Sequence, residues 1–164
     1  MHAAEKLIAE KDLEKVSIRE ILNEAGQHNT SALQYHFGNL NGLIAAIHAE
    51  RSEETRAKRT ELMDTLLATT AEPDLRQLCA LMIRPAFDLA RSQADFRSYV
   101  KAFGHQLTLL GDSAAAKAAS RGGGGDSGIV LGKLLKQTLP HLSEAAFRQR
   151  MDFAVRLCSS AMYA

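Results

Sequence analysis

Apolar residues recur at helical spacing along most of the chain, and no segment shows a convincing strand-like alternation. A first clear helix is predicted from position 18, where Ser17 and Glu20 have the spacing of a capping box. Its apolar face comprises Ile18, Ile21, Leu22 and Ala25. Gly26 follows at once and can take the left-handed conformation that ends a helix. This pattern predicts a short amphipathic helix followed by a sharp turn.

A second short helix is predicted for Asn29–Phe37, with only Leu33 and Phe37 forming an apolar seam. Its remaining positions carry hydrogen-bonding side chains, namely Asn29, Thr30, Ser31, Gln34, Tyr35 and His36. Such a face suits the major groove of DNA, where base edges present donors and acceptors. Gly38 and Asn39 end this helix and cap the next one. The segment therefore indicates a helix-turn-helix DNA-binding head.

These residues resemble the TetR-type transcriptional regulators over about residues 3 to 50. The matching segments are Val16–Ile21, Ala25-Gly26, Ala32–Gly38 and Leu43. The resemblance implies a homodimeric repressor that binds double-stranded operator DNA and responds to a small molecule of unknown identity. The residues it implies at the DNA are Ser17, Arg19, His28, Asn29, Thr30, Ser31, Gln34, Tyr35 and His36. Among them, Tyr35 and His36 are expected near phosphates, and the side chains of residues 29–31 and Gln34 near bases.

Charge changes this picture locally. The chain carries a formal net charge of +1, while residues 1–49 hold more Asp and Glu than Lys and Arg. Residues 25–49 contain neither type of charge. This argues against a generic polyanion-binding protein, so DNA affinity would rest on hydrogen bonds, helix N-termini and histidines. The acidic head, with Leu40 where the family often has lysine, favours an alternative: a helical binding or scaffold protein that has lost DNA affinity.

The rest of the chain also predicts helices, so the expected fold is all-α, with a three-helix head at residues 1–48 and a helical body at residues 49–164. The helix from Asn39 should run to about Ala68, and its charge run ERSEETRAKRTE is typical of a solvated face. Pro73 should lie in the first turn of the next helix, and Pro85 should kink it. The later predicted elements are a helix over Phe96–Leu110, a glycine-rich loop over Gly111–Gly128, and helices over Ile129–Leu139 and from Ser143 onward.

The resemblance implies a ligand pocket in the body, and the kink at Pro85 would leave space beside a helix lined with aromatic residues. The expected lining residues are Met82, Arg84, Phe87, Phe96, Tyr99, Phe103 and His105. The alternative is a filled core with no pocket. A seam on the last helix, expected to form the dimer interface, comprises Phe147, Met151, Ala154 and Cys158. The alternative for this seam is packing within its own core.

Other chemistry finds little support in the sequence. No two histidines lie at i+3 or i+4, and Cys79 and Cys158 have no CxxC partner, so no metal or cofactor is expected. Gly123, Gly125 and Gly128 match a dinucleotide fingerprint without the strand it requires. No catalytic residue can be named, although a helical enzyme stays a less favoured alternative.

The setting expected for the protein is the cytoplasm, without a membrane partner. Both cysteines are predicted to be buried free thiols in a reducing compartment. No apolar run approaches the about 20 residues that cross a bilayer, and no signal peptide is visible. The resemblance also implies a basic segment before the first helix and a further C-terminal helix, which this sequence is expected to lack.

Overall fold

The computed structural model describes residues 1–27, 29–104 and 125–163, and every regular element in these ranges is helical. The all-α prediction is therefore confirmed at this level. The elements are α1 (His2–Lys11), a 3-10 turn (Leu13–Lys15), α2 (Ile18–Glu24), α3 (Thr30–Phe37), α4 (Leu40–Thr69), α5 (Leu75–Ser92), α6 (Ala94–Phe103), α7 (Gly125–Thr138) and α8 (Glu144–Tyr163). Within the described ranges, no helix is both long and apolar enough to cross a membrane.

The ends of α2 and α3 follow the predicted local chemistry. The Ser17 hydroxyl accepts from the Glu20 amide at 3.3 Å, and the Glu20 carboxylate accepts from the Ser17 amide at 2.9 Å, which confirms the capping box. Asn29 caps α3 by accepting from the Ser31 amide. Gly26 has φ 64°, a conformation that glycine adopts at little steric cost. Helix α2 therefore ends at Ala25 and Gly26, as the sequence predicted.

Helix α4 starts where it was predicted to start, because Asn39 accepts from the Gly42 amide at 3.0 Å. It is 30 residues long. Helix α5 begins later than predicted: Asp74 caps it through a second capping box with Gln77, so Pro73 precedes the helix. The helix continues through the buried Pro85 to Ser92.

The predicted glycine-rich loop is wrong over Gly125–Gly128, which form the first turn of α7. The buried residues Ser127, Leu131 and Leu135 lie on one side of α7 at steps of four, so packing outweighs the low helix propensity of the glycines. The rest of that prediction, and the part of the Phe96–Leu110 helix beyond Gly104, lie outside the described residues.

Buried apolar side chains form three clusters. The first joins α1, α2, α3 and the start of α4 to Ala102 and Phe103 of α6. The second lies between α4, α5 and α7, with Met63, Leu81 and Leu131 among its members. The third comprises Leu89, Phe96 and Val100. Because α6 contributes to the first and third clusters, the N-terminal helices share buried contacts with the rest of the chain.

Candidate functional site

The outer face of α3 exposes polar side chains above a small apolar seam. Leu33 is buried, whereas Ser31, Gln34 and His36 are exposed. Tyr35 is 86% exposed, the highest value among the exposed large hydrophobic residues of the described chain. Its ring meets that of His36 edge to face, with centroids 5.1 Å apart. A tyrosine this exposed adds little to the core, so its hydroxyl and ring are available to a partner.

Charges around this face are mostly compensated within the chain. The lysines near it form ion pairs, Lys6 with Glu24 at 2.6 Å and Lys11 with Glu20 at 3.0 Å. The hydrogen bond from the Ser17 amide, then those from Lys11 and the Ser17 hydroxyl, lowers the pKa of Glu20 to about 2. Arg19 is exposed in the first turn of α2.

The predicted DNA-contacting residues that the structure describes lie on or beside α2 and α3, two helices that contact each other. Ser17 and Arg19 lie at the start of α2, and Asn29, Ser31, Gln34, Tyr35 and His36 lie on or beside α3. Thr30 is the first residue of α3. His28 lies outside the described residues.

A cavity of about 420 Å³ lies between α4, α5, α6, α7 and α8. Most of its wall is apolar. The lining residues contributed by α5 to α8 include Cys79, Met82, Ile83, Ala86, Phe96, Tyr99, Val100, Phe103, Leu131, Leu135, Phe147, Met151, Ala154, Val155, Cys158 and Met162. Its size lies within the roughly 300–1,000 Å³ that is typical of small-molecule sites.

The polar part of the wall belongs mainly to α4. Arg51, Ser52, Thr55 and Arg59 occupy positions i, i+1, i+4 and i+8, so they share one face of that helix. Arg51, Ser52 and Arg59 are buried. The Thr55 hydroxyl donates to the Arg51 carbonyl at 2.7 Å. One side of an apolar cavity therefore carries a row of polar side chains.

Arg51 is held in a buried ion-pair network. Its Nε and Nη2 atoms donate to the two carboxylate oxygens of Glu5 at 2.7 and 2.8 Å, and its Nη1 atom donates to Glu54 at 2.8 Å. Its guanidinium carbon lies 5.8 Å from the centre of the Phe96 ring. The hydrogen bonds to Glu5 raise the pKa of Arg51 despite its burial. The network ties α1 to α4 at the edge of the cavity.

Arg59 has a different environment. Burial is the main effect that lowers the pKa of Arg59, and the positive charge of Arg56 lowers it further. Arg56 itself forms an ion pair with Glu53. The described residues that line the cavity include two arginines and neither Asp nor Glu.

The predicted pocket residues are only partly brought together. Met82, Phe96, Tyr99 and Phe103 line the cavity. Arg84 and Phe87 do not, so the prediction is wrong for both. Arg84 is exposed and pairs with Asp88 one turn away, and Phe87 is 43% exposed. The helical period of the continuous helix α5 turns these two positions outward. His105 lies outside the described residues.

The predicted dimer seam on α8 is also placed differently. Phe147, Met151, Ala154 and Cys158 all line the cavity of their own chain. Their four-and-three spacing fits packing against neighbouring helices of the same chain equally well, which is why sequence alone could not separate the two interpretations. The exposed large apolar residues among the described side chains of α8 are instead Phe153 and Leu157, which are 60% and 72% exposed.

The two cysteines are free and half-buried rather than fully buried, and both line the cavity. Burial raises the pKa of Cys79, and burial together with the proximity of Cys79 raises the pKa of Cys158. Both thiols therefore stay protonated at neutral pH. Among the described residues, no group of three or more His, Cys, Asp or Glu side chains could hold a metal ion.

Sequence reasoning missed the polar wall on α4, because the run ERSEETRAKRTE was interpreted as a solvated face. The spacing of the polar residues within this run could have indicated that wall. Arg51, Thr55 and Arg59 are four residues apart, and Ser52 lies beside this line. A row of this kind marks one face of the helix as distinct from the faces that carry the glutamates of this run.

No protein-family model matches the chain, and no curated protein sequence matches it significantly.

Proposed function

We propose that this chain is a DNA-binding transcriptional repressor of the TetR type, whose affinity for operator DNA is controlled by a small molecule in the cavity. The observation that carries the proposal is the exposed face of α3. A short, firmly capped helix presents Gln34, Tyr35 and His36 to solvent beyond a tight turn after α2. This is the arrangement a helix-turn-helix uses to place one helix in the major groove.

The fold suggests how the cavity would influence the DNA surface. Helix α4 begins directly after α3 and carries Arg51 and Arg59 into the cavity wall. A ligand that prefers one position of α4 would shift the population of protein toward that position. In a dimer, this changes the separation of the two reading helices and so the fit to two half-sites. The ligand would thereby lower operator affinity.

Binding to a two-fold operator requires a two-fold protein. Phe153 and Leu157 lie one turn apart on α8 and are the most exposed large apolar side chains outside α3 in the described chain. A second copy of the chain is the occupant that this function requires, and we place these two residues in the dimer interface. In this proposal, they take the place of the seam that the sequence analysis expected at the dimer interface, because that seam faces the cavity.

A mobility-shift titration with DNA from upstream of the protein's own gene tests the proposal. Tyr35→Phe should raise the dissociation constant about fivefold, because it removes one hydrogen bond worth about 1 kcal/mol. Gln34→Ala should do the same or more if Gln34 contacts a base edge. Gln137→Ala, at an exposed position of α7, is the matched control and should bind like wild type. Wild-type binding by both α3 variants would show that α3 is not the reading helix.

One observation favours the alternative of a helical binding protein without DNA affinity. Lys6, Lys11 and Lys15 are all ion-paired to carboxylates of the N-terminal helices, so they add little attraction for phosphates. The same titration separates the two functions. A repressor binds its upstream DNA with a salt-dependent affinity well above that for unrelated DNA, whereas a scaffold protein shows no such preference.

A further inference from the structure

We infer that the cavity binds an uncharged molecule with an aromatic skeleton. This inference rests on the proposed function and deepens it, since it names the chemical class of the ligand for the same cavity. It depends on three features of the wall: the engagement of its charged groups within the protein, the kinds of apolar side chain it contains, and the volume that these side chains enclose.

The charged groups of the wall are already engaged within the protein. Arg51 donates to Glu5 and Glu54, and Arg59 also interacts within the chain. A carboxylate in the cavity would have to compete for these guanidinium groups after losing its water, and burying an ion without full pairing is costly. A cation would meet two arginines and, among the described lining residues, neither Asp nor Glu. An uncharged ligand incurs neither cost.

The hydroxyl groups of the wall suit a neutral polar substituent on the ligand. The Thr55 hydroxyl uses its hydrogen within α4, where it donates to the Arg51 carbonyl. Ser52 of α4 and Ser159 of α8 are buried and also line the cavity. A serine hydroxyl can both donate and accept, so it can pair with a hydroxyl or carbonyl group that carries no charge.

The apolar part of the wall favours an aromatic skeleton over a saturated one. Its rings and sulfur-containing side chains belong to Phe96, Tyr99, Phe103 and Phe147, and to Cys79, Met82, Met151, Cys158 and Met162. Aromatic rings attract one another beyond the effect of their buried area, and sulfur atoms make favourable contacts with aromatic rings. A saturated ring system of the same size gains only the burial of its surface. The wall therefore stabilises an aromatic ligand more than its saturated counterpart.

The volume of the cavity indicates the size of the ligand. An apolar cavity of roughly 150 Å³ holds one benzene molecule. The cavity in this protein has a volume of about 420 Å³. It therefore accommodates a ligand of about two rings with a substituent, or about three bare rings.

Calorimetric titration of the full chain at neutral pH with four two-ring probes tests the inference: 2-naphthol, decahydro-2-naphthol, 2-naphthoate and 2-naphthylmethylammonium. We expect 2-naphthol to bind about fivefold or more tightly than decahydro-2-naphthol, because only the aromatic skeleton gains the ring and sulfur contacts. The two ions should bind at least about tenfold more weakly than 2-naphthol, because each loses its water without gaining a full ion pair.

A cavity-filling variant shows whether 2-naphthol binds in the cavity. Gly132 of α7 lines the cavity, and a Cβ atom added there meets no described atom within 4 Å apart from the adjacent residues and helix backbone. Gly132→Phe should occupy part of the ligand's space and weaken 2-naphthol binding at least about tenfold. Gln137→Phe adds the same side chain at an exposed position of the same helix and should leave the affinity unchanged.

The wild-type comparison decides the question even if Gly132→Phe fails to fold. Equal or tighter binding of decahydro-2-naphthol would overturn the aromatic class, and equal or tighter binding of either ion would overturn the uncharged class. Failure of 2-naphthol to bind, or wild-type affinity in a folded Gly132→Phe, would overturn the inference as a whole. Operator binding by the unliganded protein is measured separately, so a protein that binds 2-naphthol as expected but not operator DNA would contradict the proposed function alone.

Discussion

The buried ion pair between Glu5 and Arg51 offers the most direct test of how the N-terminal helices are held. The Glu5 side chain is 1% exposed and the Arg51 side chain 3% exposed, and two hydrogen bonds of 2.7 and 2.8 Å join them. Removing one member leaves the other charge buried with fewer partners. Arg51→Met keeps the length of the side chain but removes its charge, so Glu5 loses both hydrogen bonds.

The size of the effect follows from the burial of both partners. Breaking a buried ion pair from one side costs about 3–5 kcal/mol, a large part of the roughly 5–15 kcal/mol that keeps a typical domain folded. Glu5→Leu should cost less, about 2–3 kcal/mol, because Arg51 retains its hydrogen bond to Glu54. The double variant should be more stable than the sum of the two single effects predicts, because it buries no unpaired charge.

Urea unfolding followed by circular dichroism gives the four free energies of unfolding that this cycle needs. Lys11→Met is the control, because Lys11 and Glu20 form an exposed pair and such pairs contribute less than about 1 kcal/mol. A loss of less than about 1 kcal/mol in Arg51→Met, or strict additivity in the double variant, would refute the argument that this pair is a buried, coupled unit.

Two further predictions concern the helix cap and the dimer. Ser17→Ala should lower the free energy of unfolding by about 1 kcal/mol. If Ser17→Ala and Glu20→Gln both unfold at the wild-type urea midpoint, the capping box does not stabilise the protein. The pKa of Glu20 is lowered to about 2 from its ordinary 4.5. The ionised Glu20 side chain therefore makes its full contribution to the free energy of unfolding above pH 4.5 and loses it as the pH falls toward 2. Thermal melts over this range should therefore show a smaller acid loss in Glu20→Gln than in wild type. Leu157→Asp should yield monomers by light scattering while Leu67→Asp, at an exposed site on α4, stays dimeric; a dimeric Leu157→Asp would move the interface elsewhere.

The sequence predicted the elements whose ends are fixed by local chemistry. Ser17 with Glu20, Asn29 and Asn39 each cap a helix through a side chain within three residues of its partner amide. Such signals need no knowledge of the rest of the chain. The start of α7 could not be predicted in this way, because its glycines favour a loop and only packing against other helices makes them helical.

The candidate site could be predicted where the helical period separates one polar face from one apolar face. The exposure of the polar face of α3 was predicted correctly for Ser31, Gln34, Tyr35 and His36, which lie away from the buried Leu33. The residues that line the cavity were harder to predict, because Phe87 and Met82 are both apolar and lie on the same helix. Which of the two faces inward depends on the rotation of α5 against its neighbours, and that is a tertiary property.

Arg51 also gives the proposed mechanism a physical route from ligand to DNA surface. It lines the cavity, and it holds Glu5 of α1, whose Ile8 packs in the same cluster as Leu22 of α2 and Leu33 of α3. A ligand changes an equilibrium only by the difference in its affinity for the two states. A tenfold change in operator affinity requires a difference of about 1.4 kcal/mol. One charge-assisted hydrogen bond between the cavity wall and the ligand that forms in only one position of α4 is worth about 1.5–3 kcal/mol, so a single such contact is sufficient for the control that we propose.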